Sequence, residues 1–305
     1  MNKKKYFVVS DIHSYFMPLK NSLWSAGFRR TNKDHILIIC GDLFDRGENS
    51  LAVYEYISSL PKNRVILIRG NHELLLFELL EKKFPDAYDF SNGTVSTCCQ
   101  VARLSESLLN KYFYLEQYLS NPTIAVDWEK ASLEIEKQLL KAWKKIKTLV
   151  KKSSFYQWLQ SSQWRDFYEL DNFIFVHSFI PTKAENQYYN AYNSNPQLLK
   201  FFSNWRTEAT KLELEDAKWG CPFKLYKYGL FDEEIKNNKI LVCGHWRADE
   251  AHEFFGTEGY KDNFDIFYSD HLIMLDACTA YTRKTNVLVI EDGICYDQYR
   301  HKLGE

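Results

Sequence analysis

Residues 35–47 read HILIICGDLFDRG, six residues dominated by Ile and Leu that stop at Gly41-Asp42. A run this short and this rich in β-branched side chains is too brief for an independent helix, and without polar alternation it reads as a strand buried on both faces. Polar chemistry begins where the apolar run ends. The same arrangement recurs on either side: YFVVS (6–10) leads to Asp11 and His13, and RVILIR (64–69) leads to Gly70, Asn71 and His72. NFIFVH (172–177) ends on His177 and Ser178, and KILVCG (239–244) on Gly244 and His245. In layered α/β proteins ligands collect beyond the carboxyl ends of strands, where loops leave side chains free to converge. Five such arrivals predict one site. Further strands are expected near 272–276 and 286–291, the latter turning at Glu291-Asp292-Gly293 into ICY, and Asp171-Asn172 is expected to turn FYEL into FIFV.

The chain has 305 residues, 45% of them hydrophobic and 26% charged, with 39 basic against 40 acidic side chains. That supplies a large core and excludes a disordered or fibrous protein. A near-zero net charge removes bulk attraction to membrane or nucleic acid, so neither is expected as a partner, and any polyanion site must be local. No stretch is long and apolar enough to span a bilayer, and no cleavage signal follows the amino-terminal lysines, which predicts a cytoplasmic protein. The seven cysteines show no CxxC spacing, against a disulfide framework or zinc ribbon. Between the third and fourth runs, about residues 98–165, the apolar residues Ala131, Ile135, Leu139, Ala142, Trp143, Ile146, Leu149 and Val150 recur at three- and four-residue steps. This predicts a helical insertion in a single domain spanning 1–305, with its lysines on a solvated face.

Asp11, His13, Asp42, Asn71, His177 and His245 together offer carboxylate, imidazole and amide donors and no thiolate. Manganese, iron, nickel or zinc suits that set better than copper(I) or calcium. The count fits two cations, with Asp42 as the carboxylate between them. In such pairs the metals activate a water and stabilise the attacking and leaving oxygens of an in-line displacement. Singly each residue is an ordinary turn or strand-end residue; six of them at five strand ends in series is the signal.

On these residues the chain resembles the calcineurin-like metallophosphoesterases. The resemblance is carried by Asp11-Ile-His13, Gly41-Asp42-Leu-Phe-Asp45-Arg46-Gly47, Gly70-Asn71-His72-Glu73, His177 and Gly244-His245. Arg46 and Glu73 narrow it to the phosphoprotein phosphatase group, which includes bacterial serine/threonine phosphatases and symmetrical diadenosine tetraphosphate hydrolases. Ser91-Asn92-Gly93-Thr94 with Thr97 is similar to that group's Asn-Gly-Gly loop. The resemblance implies an α/β fold, a two-layer αββα sandwich, with one metal on Asp11, His13 and Asp42 and the other on Asp42, Asn71, His177 and His245. It further implies that His72 protonates the leaving oxygen, that Asp45 orients it, and that Arg46 binds phosphate. Glu73 is read as a helix cap. A second phosphate-binding cation is expected from Arg206, Arg247, Lys218 or Lys224. Where the group commonly has Thr or Ser then Pro after Gly-His, this chain has Trp246 and Arg247.

The function expected from the motifs is a dimetal phosphoester hydrolase, manganese foremost, with a phosphoprotein or nucleotide substrate. Serine/threonine protein phosphatase comes first and symmetrical diadenosine tetraphosphate hydrolase second. The non-enzymatic rival is an interaction module on the same fold, which the intact ligand set opposes. A nucleotide pocket calls for aromatic stacking near the metals and a protein phosphatase for an open groove.

Overall fold

Adjacent residues of a strand point to opposite faces, and here both faces are apolar. In β1 (Lys5–Val9) Phe7 and Val9 join one buried cluster and Val8 another. In β2 (His35–Cys40) Leu37 and Ile39 take the first cluster, Ile38 and Cys40 the second. The computed structural model describes residues 4–107, 109, 128–184, 198–257, 259 and 261–304. It contains two mixed sheets built on this rule. The first has the order β13-β12-β1-β2-β3-β4, with β3 at Val65–Ile68, β4 at Trp164–Arg165, β12 at Leu288–Glu291 and β13 at Ile294–Tyr296. Strands β1 to β4 are parallel, in the register Val8↔Ile38 and Ile39↔Leu67, and β12 pairs antiparallel with β1, Lys5 opposite Glu291. The second sheet has the order β10-β11-β9-β6-β5, with β5 at Phe167–Leu170, β6 at Phe173–Val176, β9 at Ile240–Arg247, β10 at Phe267–Tyr268 and β11 at Leu272–Asp276. Its three inner strands are parallel and its edges antiparallel. A separate pair, β7 (Lys183–Ala184) and β8 (Leu199–Lys200), lies outside both.

The sheets pack face to face through Val8, Ile38 and Ile68 on one side and Phe173, Phe175, Val242 and Ile273 on the other. Helices cover the outer faces, giving the expected αββα sandwich. On the first sheet lie α1 (Phe16–Ser25), α2 (Ser50–Ser58), α3 (Asn71–Glu81), α4 (Ala87–Ser91) and α5 (Thr94–Ala102). Short helices between Trp205 and Phe255 cover the second. Every strand and both hairpins read from the sequence form, and Asp171 and Asp292 take the left-handed backbone their turns need, at φ 51° and 56°.

Of the span 98–165 expected to be helical, α5 covers the start to Ala102 and α6 (Trp128–Lys152) and α7 (Ser154–Leu159) follow, but its end, Trp164–Arg165, is strand β4 of the first sheet; residues 108 and 110–127 lie outside the described residues. Leu139, Trp143, Ile146 and Val150 are buried in the same cluster as Phe7 and Leu37. Lys147 donates to the Lys82 carbonyl at 2.7 Å and Lys151 pairs with Glu81 at 2.6 Å. This part of the insertion is therefore core, and its lysine face is solvated apart from those two ties. Among the described residues no helix is long and apolar enough to cross a membrane.

Candidate metal centre

The carboxyl ends of β1, β2 and β3 from one sheet meet those of β6 and β9 from the other, and backbone hydrogen bonds stitch them together. The Asp11 N–H donates to the Gly41 carbonyl at 3.2 Å, His13 N–H to Asp42 at 3.0 Å, and Gly244 N–H to His177 at 2.8 Å. Glu73, at the start of α3, is buried and accepts from the N–H groups of Gly70 (2.8 Å), Leu43 (2.9 Å) and Asp42 (3.1 Å). It caps the helix and clamps the β2 loop to the β3 loop in one carboxylate. Burial, then Asp42, pushes the Glu73 carboxyl up to about 7, and the three amides oppose that shift. Close approach explains two glycines: a Cβ at Gly41 would strike His177, and one at Gly244 would land on Ser10 and the Asp11 carboxylate.

The turns themselves are tight. Asp11, His13, Asp42, Asp45, Arg46 and His245 all have positive φ, between 49° and 72°. Asp and His tolerate this left-handed region better than most residues, so residue type serves both backbone and chemistry here.

The imidazoles are fixed in one tautomer. His13 Nδ1 donates to the Phe44 carbonyl at 3.0 Å and His177 Nδ1 to the Cys40 carbonyl at 2.8 Å. Carbonyl oxygen only accepts, so each Nε2 carries a lone pair aimed inward. Burial holds His13 and His177 below the usual histidine range, and burial with the neighbouring His177 takes His245 down to about 3, so these rings are neutral. His177 Nε2 then faces Asn71 Oδ1 at 2.7 Å and His245 Nδ1 at 3.2 Å. His177 Nε2 and Asn71 Oδ1 are both acceptors, and at 2.7 Å they repel unless a cation sits between them. The donor set thus fits a borderline divalent metal.

Asp42 stands at the centre, its carboxylate 3.5 Å from His177, 3.8 Å from His13 and 3.9 Å from His72. Burial would raise its pKa, but the surrounding imidazoles outweigh burial and hold it well below the carboxylate range. Two groups of donors share this residue: His13, Asp42 and His72, and Asp42, His177 and His245, each with its atoms within 4.8 Å of one another. Asp11 joins at the edge. Its Oδ2 accepts from the His245 N–H at 2.9 Å and from the Ser10 hydroxyl, while Oδ1 lies 4.0 Å from His13 Nε2.

His72 is arranged differently. Its Nδ1 donates to Asp45 at 2.8 Å, and Asp45 also accepts from the hydroxyls of Thr94 (2.8 Å) and Thr97 (2.7 Å) at the start of α5. Burial lowers the pKa of His72, yet Asp42 and Asp45 outweigh burial and the net shift is upward. The exposed Arg46 reaches His72 Nε2 with Nη2 at 3.2 Å. The two threonines were legible only as part of a motif; their grip on Asp45 appears in the structure.

The remaining cations separate. Arg206 is bound between Glu234, at 2.7 Å, and Glu169, so its charge is spent inside the second sheet's helical layer. Lys218 is buried on Asp166, at 2.7 Å. Arg247 pairs with Asp249 (3.2 Å) and Glu250 (2.9 Å), and Lys224 is exposed with its ammonium 5.8 Å from the Trp246 ring. Sequence reasoning missed Asp276, a buried acid at the carboxyl end of β11 opposite Arg247, whose pKa is pushed up to about 7 by burial. The signal was present, since LIMLD also ends an apolar run on a polar residue. Two indoles complete the rim: Trp219 lies edge-on to His245 with ring centroids 5.7 Å apart, and the Trp246 Nε1–H points to the Trp219 carbonyl at 3.5 Å.

Known proteins agree with this geometry. Residues 4–274 match the family model described as calcineurin-like phosphoesterase. A symmetrical bis(5'-nucleosyl)-tetraphosphatase of Wigglesworthia glossinidia brevipalpis is 23% identical over 255 residues, 80% of this chain and 85% of the relative. The enzyme of the same name from Legionella pneumophila is 40% identical over 74 residues, 24% of this chain and 26% of its own length. Among solved structures, a cold-active protein-tyrosine phosphatase of a psychrophilic Shewanella superposes with a TM-score of 0.54 at 13% identity, covering 99% of this chain and 80% of that one, a likeness of fold. With two sheets meeting at a cluster of imidazoles around Asp42, and a family match along most of its length, the chain belongs to the calcineurin-like phosphoesterases, hydrolases of phosphoester bonds.

Proposed function

We propose that the chain hydrolyses a dinucleoside polyphosphate at a centre holding two divalent cations, manganese foremost. The observation that carries this reading is the indole pair: Trp219 lies against a proposed metal ligand and is tied to Trp246, placing stacking surface for a base beside the phosphates. The relative that aligns along most of its length is named for such a substrate. This reverses the order drawn from the motifs, in which a serine/threonine protein phosphatase came first.

In this reading Asp11, His13 and Asp42 would hold one cation and Asp42, Asn71, His177 and His245 the other, Asp42 serving both. When bound, the cations supply Lewis acidity and an activated water. The protein's own groups do the rest. Arg46 presents a guanidinium to the phosphoryl oxygens, whose planar fork a lysine would not match. Asp42 and Asp45 shift the His72 pKa upward against burial and so favour its charged form, the form that would hand a proton to the departing oxygen. Asp45, held by Thr94 and Thr97, fixes the ring.

The test offers manganese-loaded protein diadenosine tetraphosphate, a phosphoserine peptide, an aryl phosphate and a bis-aryl phosphodiester. The expected outcome is the highest kcat/KM on the dinucleotide, with ADP as the sole nucleotide product. Trp246→Ala should raise KM for the dinucleotide and leave aryl phosphate turnover near wild type. A phosphopeptide turned over fastest would restore the protein phosphatase reading, and no turnover with metal bound would favour the interaction module.

A further inference from the structure

On the outer face of the first sheet, Phe16, Lys20 and Trp24 stand at every fourth position of α1 and so share one helix face. They line a groove of about 590 Å³ together with Arg29, Arg30 and Tyr56. Each cation in it lies over an aromatic ring. The Lys20 ammonium is 5.8 Å from the Phe16 centroid, the Arg29 guanidinium 3.9 Å from Trp24, and that of Arg30 4.8 Å from Tyr56. Trp24 is 63% exposed. Among the described residues none of the three cations pairs with a carboxylate; Arg29 donates to the carbonyls of Trp24 and Phe28, and Arg30 to the Ser59 hydroxyl.

The loop that carries both arginines is held from beneath. Arg64 is buried and donates from Nε to the His35 carbonyl at 3.0 Å, from Nη2 to Arg29 at 3.2 Å, and from Nη1 to Arg30. A buried guanidinium spent on three carbonyls fixes the backbone of residues 29–35, so the groove is presented rigidly. The local field is positive. Besides burial, Lys5, Arg64 and Arg29 push the His35 pKa down, with Asp34 the opposing acid.

From this interleaving we infer that the groove binds single-stranded nucleic acid, a base stacking on the exposed Trp24 and phosphates lying on Lys20, Arg29 and Arg30. A duplex hides its base faces and leaves the rings unused, and an acidic peptide offers charge with no planar face. The near-neutral net charge is compatible, because the attraction is local.

The test titrates full-length protein into fluorophore-labelled oligouridylate and oligothymidylate of about 12 nucleotides, following anisotropy at low and moderate salt. Both should bind, since stacking and phosphate contacts read neither sugar. Trp24→Ala should weaken binding about fivefold or more, the loss of one stacked base. Lys20→Gln combined with Arg30→Gln should lower the salt slope by about 0.7 for each charge. Both variants should keep wild-type aryl phosphate turnover, which shows that fold and metal centre are intact. The proposal is overturned if neither oligonucleotide binds, if both variants bind as wild type, or if a duplex or a glutamate peptide of equal charge binds as tightly.

Discussion

Asp42 is the residue on which the centre turns, because three imidazoles lie within 4 Å of its carboxylate and its Oδ1 accepts the His72 N–H at 3.0 Å. Asp42→Asn is expected to lose more bound metal than Asp11→Asn, since in the proposed site the shared position would serve two cations and the edge position one. Metal analysis after desalting checks this, and equal contents in both variants and wild type would remove Asp42 from the bridge. His72→Asn should slow an alkyl phosphate far more than p-nitrophenyl phosphate, by about 10²–10⁴-fold for the loss of a general acid, with metal content unchanged. Equal slowing of both substrates would assign His72 to phosphate binding instead. These residues were legible because each follows an apolar run that ends abruptly. Asp276 was not, although it obeys the same pattern, because the chain does not resume there with a recognisable motif. Thr94 and Thr97 were flagged only as a resemblance, since hydroxyls gripping a carboxylate from 49 and 52 residues away leave no local mark.

Among elements, the strands were readable because both faces are buried, which leaves continuous apolar runs and no ambiguity of phase. The short helices between Trp205 and Lys236 were not, because four to six residues are too few to show a period and are held by caps and packing, as with the Thr210–Glu213 capping box. The long helix α6 combines both lessons: its period was visible, but only the structure shows Trp143 fully buried against the first sheet's helices. Trp143→Ala should cost about 3–5 kcal/mol of stability and leave turnover per folded molecule unchanged, as read by denaturant unfolding and an aryl phosphate assay. The Arg206 tie joins the helix Trp205–Glu208, the helix Asp232–Lys236 and β5. Burial would raise the Glu234 pKa, but Arg206 and Trp205 hold it below its ordinary value, so its contribution is present above about pH 4.3 and is lost as pH falls through the depressed value. Glu234→Gln should therefore melt lower than wild type at neutral pH and lose less Tm on acidification below that point. Identical acid profiles would show that Glu234 carries no such linkage.

Across the whole molecule, the proposed ligands come from both sheets: Asp11, His13, Asp42 and Asn71 from the first, His177 and His245 from the second. A cation bound among them would favour the folded state by mass action, about 2.7 kcal/mol at a hundredfold excess over Kd. Chelation is expected to lower the Tm of wild type by several degrees and to leave Asp42→Asn almost unmoved; equal shifts in the two would mean that the metal acts elsewhere. The order of the first sheet carries a different consequence. Strand β1 lies between β2 and β12, with Lys5 opposite Glu291 and an ion pair of 3.0 Å between them. During synthesis every proposed ligand, up to His245, leaves the ribosome before β12 can pair. Until then β1 presents an unpaired edge, the kind of surface that recruits another chain. A chain stopped after Asp276 would hold the whole chemical apparatus and still be at risk of association before it could use it.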